Sequence, residues 1–154
     1  MDRIQRTLEL QRNGGLNCSQ AILSSFGEQF GISPEVAKII GRPWGGGIGQ
    51  LAETCGYLTG AVQILAHAYD QDDEGKGRVD VFRAVQELFK RFEKKRGTTK
   101  CRELLGVDFS TKEGLLKIKS EGLVQKICCS ADGIGRDVAE ILEDIIKSRE
   151  SFPR

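Results

Sequence analysis

The sequence predicts an all-α fold: a single-domain helical bundle of about six to eight helices. Apolar residues recur at three- and four-residue spacings through most of the chain, the period of an amphipathic helix. No segment alternates apolar and polar residues as a half-buried strand does. No internal repeat and no linker divides the 154 residues, so 1–154 reads as one helical domain.

The elements follow in order. "MDRIQRTLELQ" forms the first helix. Asn17 caps a second one running through "CSQAILSSFGEQF", with Cys18, Ile22 and Phe26 on one face. Ser33-Pro34-Glu35 supplies a cap, a proline at the first helical position and an acid in the first turn of "PEVAKII". Gly41 ends that helix, and "RPWGGGIG" is a loop by composition. A fourth helix starts near Gln50, its seam being Leu51, Cys55, Leu58, Val62, Leu65 and Tyr69. "DQDDEGKGR" is a polar turn. Val81, Phe82, Val85, Leu88, Phe89 and Phe92 mark a fifth helix. Thr98 or Thr99 caps the short "KCRELL", and "TKEGLLKIKS" makes another helix. The last long helix buries Ile134, Val138, Ile141, Leu142, Ile145 and Ile146.

Composition removes several function classes. A hydrophobic content of 39% with 29% charged residues suits a soluble globular chain. A net charge of +1 provides no global field for nucleic acid or membrane. The basic runs "KRFEKKRG" and "TTKCR" read as solvated helix ends. No apolar run reaches 18 residues, so membrane insertion is not expected. The charged N-terminal segment does not resemble a signal peptide, and a cytoplasmic location with reduced thiols is expected.

Familiar motifs fail on their context. Gly47-Ile48-Gly49-Gln50-Leu51-Ala52 matches a dinucleotide fingerprint, but no strand delivers the chain to it. No Gly-Lys-Ser/Thr closes a phosphate loop. Asp70 to Gly75 imitates the start of a calcium loop, yet its twelfth position is Val81 where a bidentate acid is required. His67, the only histidine, has no sequence partner for hydrolytic catalysis.

Five cysteines remain: Cys18, Cys55, Cys101, Cys128 and Cys129. Each falls near a predicted helix N-terminus, where partial positive charge stabilises a thiolate. Cys55 is therefore expected to be the most reactive thiol. Beside it Ala52, Gly56 and Gly60 recur every fourth residue, a stripe without side chains. The stripe serves either a tight helix crossing or the floor of a ligand pocket at Gly56 and Gly60.

Cys18, the Gly45–Gly49 run, Cys55-Gly56-Tyr57-Leu58-Thr59-Gly60, Cys101 followed by Leu104-Leu105-Gly106, and a late cysteine before an amphipathic helix together resemble the C_GCAxxG_C_C family of redox-active proteins, over about residues 14–146. The resemblance implies four shared cysteines, here Cys18, Cys55, Cys101 and one of Cys128 or Cys129, and a redox or metal-handling role, with genes often near transporter genes. Tyr57 departs from the small residue that the family places there, which narrows the pocket.

Three functions are compatible with these residues. The leading one is thiol–disulfide chemistry, with Cys55 attacking and Cys18, Cys101, Cys128 or Cys129 resolving. The second is a metal ion or iron–sulfur cluster as cofactor, held by Cys18, Cys55, Cys101 and Cys129, against which stands the lack of a Cys-x-x-Cys chelate. The third is a non-catalytic interaction module. A transporter or an electron-transfer protein is the implied partner, and a homodimer remains open.

Overall fold

The computed structural model describes residues 1–69 and 74–150. It is an all-α structure. Among the described residues no strand forms, and the one isolated antiparallel bridge joins Thr54 to Lys100.

Helix α1 (Arg3–Arg12) is capped by Asp2, whose carboxylate accepts the Gln5 N–H at 2.8 Å. Helix α2 (Cys18–Phe26) opens with a reciprocal cap, the Gln20 N–H on the Asn17 side chain at 2.9 Å and the Asn17 N–H on the Gln20 side chain at 3.1 Å. It is shorter than the periodicity suggests: the chain turns at Gly27, and Glu28–Phe30 form a separate 3₁₀ turn. It is also buried on all sides from Ser19 to Phe26, because α1, α3 and α4 pack around it. Its small Ala and Ser positions make that possible. Helix α3 (Pro34–Gly41) is capped by Ser33 and runs on into a 3₁₀ turn, Arg42–Trp44, so Gly41 ends the helix without ending the coil.

The largest correction concerns α4. It spans Gly56–Ala68 and not a segment from Gln50. Leu51, expected in its seam, is 57% exposed, and Ala52 has a φ of 58° incompatible with a right-handed helix. The seam that packs begins at Cys55 and continues through Leu58 and Leu65, with Val62 and Tyr69 half-buried.

Helix α5 (Glu74–Arg96) also begins earlier than expected. Glu74 to Arg78 belong to it, while Asp70 to Asp73 of the expected polar turn lie outside the described residues. Leu88 and Phe92 are buried, but Phe82 points to solvent, 57% exposed. At its C-terminal end Lys95 and Arg96 pair with the buried Asp137 of α8 at 2.7 and 2.5 Å. That basic run is therefore partly structural.

Helix α6 (Cys101–Leu105) follows Lys100, not a capping threonine; the Thr98 hydroxyl instead accepts the Lys100 N–H at 3.1 Å. Helix α7 (Lys112–Glu121) is capped by Thr111. A π turn (Val124–Cys128) precedes α8 (Ile134–Glu150), whose six expected apolar residues are all buried.

The main core gathers α2, α4, α5 and α8 around Phe26, Leu58, Leu65, Leu88 and Leu142. A smaller apolar cluster forms around Cys101, Leu105 and Ile118. Ile127 and Cys128 pack against both. A cysteine-lined cavity lies where these two clusters meet.

Candidate thiol cavity

A cavity of about 530 Å³ is lined by Cys18, Cys55, Cys101 and Cys128. Its apolar walls are Leu16, Leu104, Leu105, Phe109, Val124 and Ile134. Gln11, Asn17, Arg42, Gln50 and Tyr57 supply its polar side chains, and among the described residues no Asp, Glu, His or Lys side chain lines it. His67 sits exposed near the end of α4, away from the cavity. All five cysteines are free thiols.

Cys18 is the first residue of α2 and is half-buried. Its sulfur fills the space beside Gly56, where any β-carbon would overlap it and would also meet the Trp44 carbonyl at 2.9 Å. Gly60 faces a different neighbour. A β-carbon there would come within 2.5 Å of Ile22 Cγ2 and 3.0 Å of the Ser19 carbonyl. The small-residue stripe thus divides: Gly56 makes room for a sulfur at the cavity, Gly60 permits the α2–α4 crossing, and Ala52 is not on the helix at all.

Cys55 is the residue before α4 and is buried. Cys101 opens α6 and is buried. A short two-sided bridge joins the backbones that carry them. The Cys55 N–H donates to the Thr99 carbonyl at 2.9 Å, and the Cys101 N–H donates to the Glu53 carbonyl at 2.6 Å. Arg102 fastens the same junction. Its guanidinium donates to the carbonyls of Ala52 and Leu51 at 3.1 and 2.9 Å and pairs with Glu53 at 2.7 Å. Arg102 belongs to the run "TTKCR" expected as a solvated helix end; it instead meets two main-chain carbonyls and the Glu53 carboxylate about 50 residues away.

The glycine-rich loop between α3 and α4 is wound the opposite way to a helix. Gly46, Gly47, Ile48, Gly49 and Gln50 all have positive φ, from 56° to 71°. The glycines adopt this freely; Ile48, β-branched and at 63°, does not. The reversed turn is held by long backbone bonds, Ala52 N–H to Gly46 at 3.0 Å and Glu53 N–H to Gly47 at 2.9 Å. The turn carries Gly45, Gly46, Gly49 and Gln50 onto the cavity.

The doubled cysteine is resolved by the π turn. Cys128, its last residue, lines the cavity, whereas Cys129 does not. The Cys129 thiol donates to the Val124 carbonyl at 3.5 Å, and Arg12 donates to the Cys129 carbonyl. Both lie well ahead of α8, which starts at Ile134, so the expectation that they sit at its N-terminus does not hold. The extra residue of a π turn rotates Cys128 inward and Cys129 away, which no helical spacing anticipates. The cavity wall also holds Tyr57, fully buried, its hydroxyl donating to Gln11.

Electrostatics oppose the ionisation expected of these thiols. Burial pushes every one of these thiols up. Cys101 is raised to about 12, by burial first and then by the neighbouring Cys18 and Asp108. Cys55 goes higher still, through burial and then the like charges of Cys18 and Cys101, with the amides of Tyr57 and Leu58 opposing. Cys128 is raised well above the ordinary thiol value by burial and its sulfur neighbours. For Cys18 burial also dominates, but the only other contributions are backbone amides, those of Gly46, Ser19, Cys18 and Gly56, and all of them lower it. Helix-end charge acts over one turn and is worth less than desolvation here. Burial therefore opposes ionisation of Cys55 more than its place before α4 favours it.

A metal or cluster does not fit the donor set as it stands. Among the described residues no three His, Cys, Asp or Glu side chains are disposed to hold a metal ion. Among the described residues no His, Lys, Asp or Glu lies in the wall to act beside the sulfurs.

A family model described as "Putative redox-active protein (C_GCAxxG_C_C)" matches residues 16–145. No curated protein and no solved structure is significantly similar to the chain.

Proposed function

The chain belongs to the C_GCAxxG_C_C family, and from that premise we propose that it performs thiol–disulfide exchange inside the cysteine-lined cavity. Four cysteines on one cavity that, among the described residues, holds no Asp, Glu, His or Lys carry this reading, because sulfur is then the nucleophile available. Cys18 attacks and Cys55 resolves. The preference for Cys18 over Cys55 rests on the exposure of the whole residue, half-buried for Cys18 and 6% for Cys55, while burial raises both thiols. It rests also on the amides of Gly46, Ser19 and Gly56, which favour the Cys18 thiolate.

The exchange balances. The Cys18 thiolate attacks one sulfur of a low-molecular-weight disulfide, and the first substrate thiol leaves with a proton. The Cys55 sulfur, losing its proton, then attacks the Cys18 sulfur and releases the second substrate thiol. The substrate gains two electrons and two protons, and an internal disulfide remains for an external dithiol to reduce. A reducing cytoplasm suits this cycle, with an electron-transfer protein or a transporter as partner. Among the described residues no helix is long and apolar enough to cross a membrane.

The experiment is oxidation of the reduced chain with a small disulfide, followed by peptide mapping. A Cys18–Cys55 link is expected, with Cys55→Ser trapping substrate on Cys18 and Cys18→Ser unreactive. A chain that forms no internal disulfide, or in which Cys18 stays unmodified, defeats the reading.

A further inference from the structure

Charge decides what a thiol-lined cavity can hold. Here the cysteines share the cavity with Leu16, Leu105, Phe109, Val124 and Ile134 and with the uncharged polar side chains of Gln11, Asn17, Gln50 and Tyr57. Among the described residues the only basic side chain on the cavity is Arg42, which is exposed. A divalent cation bound by three or four thiolates would leave net negative charge among these walls without a buried counter-charge, and desolvation makes that costly. A ligand that joins two thiols and leaves nothing charged escapes the penalty.

We propose that the cavity binds uncharged trivalent organoarsenicals, RAs(OH)₂, through Cys18 and Cys55. Each thiol condenses with one arsenic hydroxyl. Two As–S bonds form, two As–O bonds break, and both thiol protons leave with the hydroxyls as water. Arsenic remains trivalent, so no oxidant or reductant takes part, and the product is neutral. The Cys18 sulfur lies against Gly56, the residue after Cys55, which brings these two thiols to the junction of α2 and α4. The organic group on arsenic lies along Phe109, Val124 and Ile134, and the cavity of about 530 Å³ has room for an aryl ring. Only two free thiols on one cavity with an apolar wall are needed, so the proposal stands apart from the redox cycle.

The test titrates the reduced full chain with phenylarsine oxide and with its para-carboxylate analogue while free thiols are counted. Phenylarsine oxide should mask two thiols per arsenic and protect the Cys18 and Cys55 peptides from alkylation. The charged analogue should bind at least about tenfold more weakly, because its carboxylate would be buried against apolar walls. Equimolar zinc should not displace the aryl arsenical. Cys18→Ser should abolish binding, and Cys129→Ser, off the cavity, should retain it. Peptide protection in the unaltered chain keeps the result independent of how the variants fold. No masked thiols, equal binding of both arsenicals, or displacement by zinc would overturn the proposal. A chain that forms its internal disulfide yet refuses the arsenical loses this proposal alone, and the converse outcome removes only the redox reading.

Discussion

The sulfur of Cys18 occupies the place where a side chain at Gly56 would begin. This makes the glycine a condition of the thiol, and it separates two residues that look alike in sequence. Gly56→Ala should displace the sulfur or the Trp44 carbonyl, costing about 1–3 kcal/mol of overpacking and changing the Cys18 alkylation rate. Gly60→Ala meets Ile22 and Ser19 instead, so it should lower stability by a similar amount with Cys18 reactivity unchanged. Urea unfolding and alkylation kinetics on the folded variants distinguish the two. Equal effects on Cys18 reactivity would show that Gly56 has no special relation to the sulfur.

Alkaline pH should destabilise the fold through the buried thiols. Cys101 is raised to about 12 and Cys55 beyond it, chiefly by burial, whereas an unfolded cysteine loses its proton near about 8.5. Above that value the unfolded chain sheds protons that the folded chain keeps. Stability therefore falls as pH rises from about 9 towards 12, by up to about 1.4 kcal/mol per pH unit for each such thiol, and is at its full value below about 8. Urea midpoints across this window should lose part of their slope in Cys55→Ala and Cys101→Ala. An unchanged slope would mean that these thiols ionise as readily folded as unfolded.

The reversed loop stores strain at Ile48, whose φ is 63° and whose side chain is 36% exposed. Ile48→Gly should relieve about 1 kcal/mol of left-handed strain while losing little burial, so thermal stability should rise or hold. A large fall in melting temperature would mean that the Ile48 side chain itself anchors the turn.

Arg102 is the latch of that loop. Removing it in Arg102→Ala leaves the Leu51 and Ala52 carbonyls without its guanidinium and Glu53 without its closest cation. Alkylation of Cys55 and Cys101 should quicken severalfold, with a modest stability loss because Arg102 is partly exposed. Arg102→Lys should restore little, since an ammonium cannot reproduce the planar fork. Unaltered thiol rates in Arg102→Ala would assign the latch to the backbone bridge alone.

Local physics made much of this chain readable from its letters. The caps at Asn17 and Ser33, and the seam from Ile134 to Ile146, depend on neighbours within a turn or two, and they form where the spacing puts them. The family pattern of cysteines was likewise visible in order and spacing, over the residues that the family model matches. What the letters alone left open was decided at long range. The start of α4 moved to Gly56 because a reversed turn, bonded back on itself and clamped by Arg102 from another helix, took over residues that carry helical periodicity. The choice between Cys128 and Cys129 fell to a π turn that rotates one inward and ties the other to Val124. The upward shift of the thiols also escaped the sequence. A helix terminus is a local, fractional charge, whereas desolvation is set by everything packed around a sulfur, and only the assembled α2–α4 crossing and its glycine loop determine how much water Cys18 and Cys55 keep.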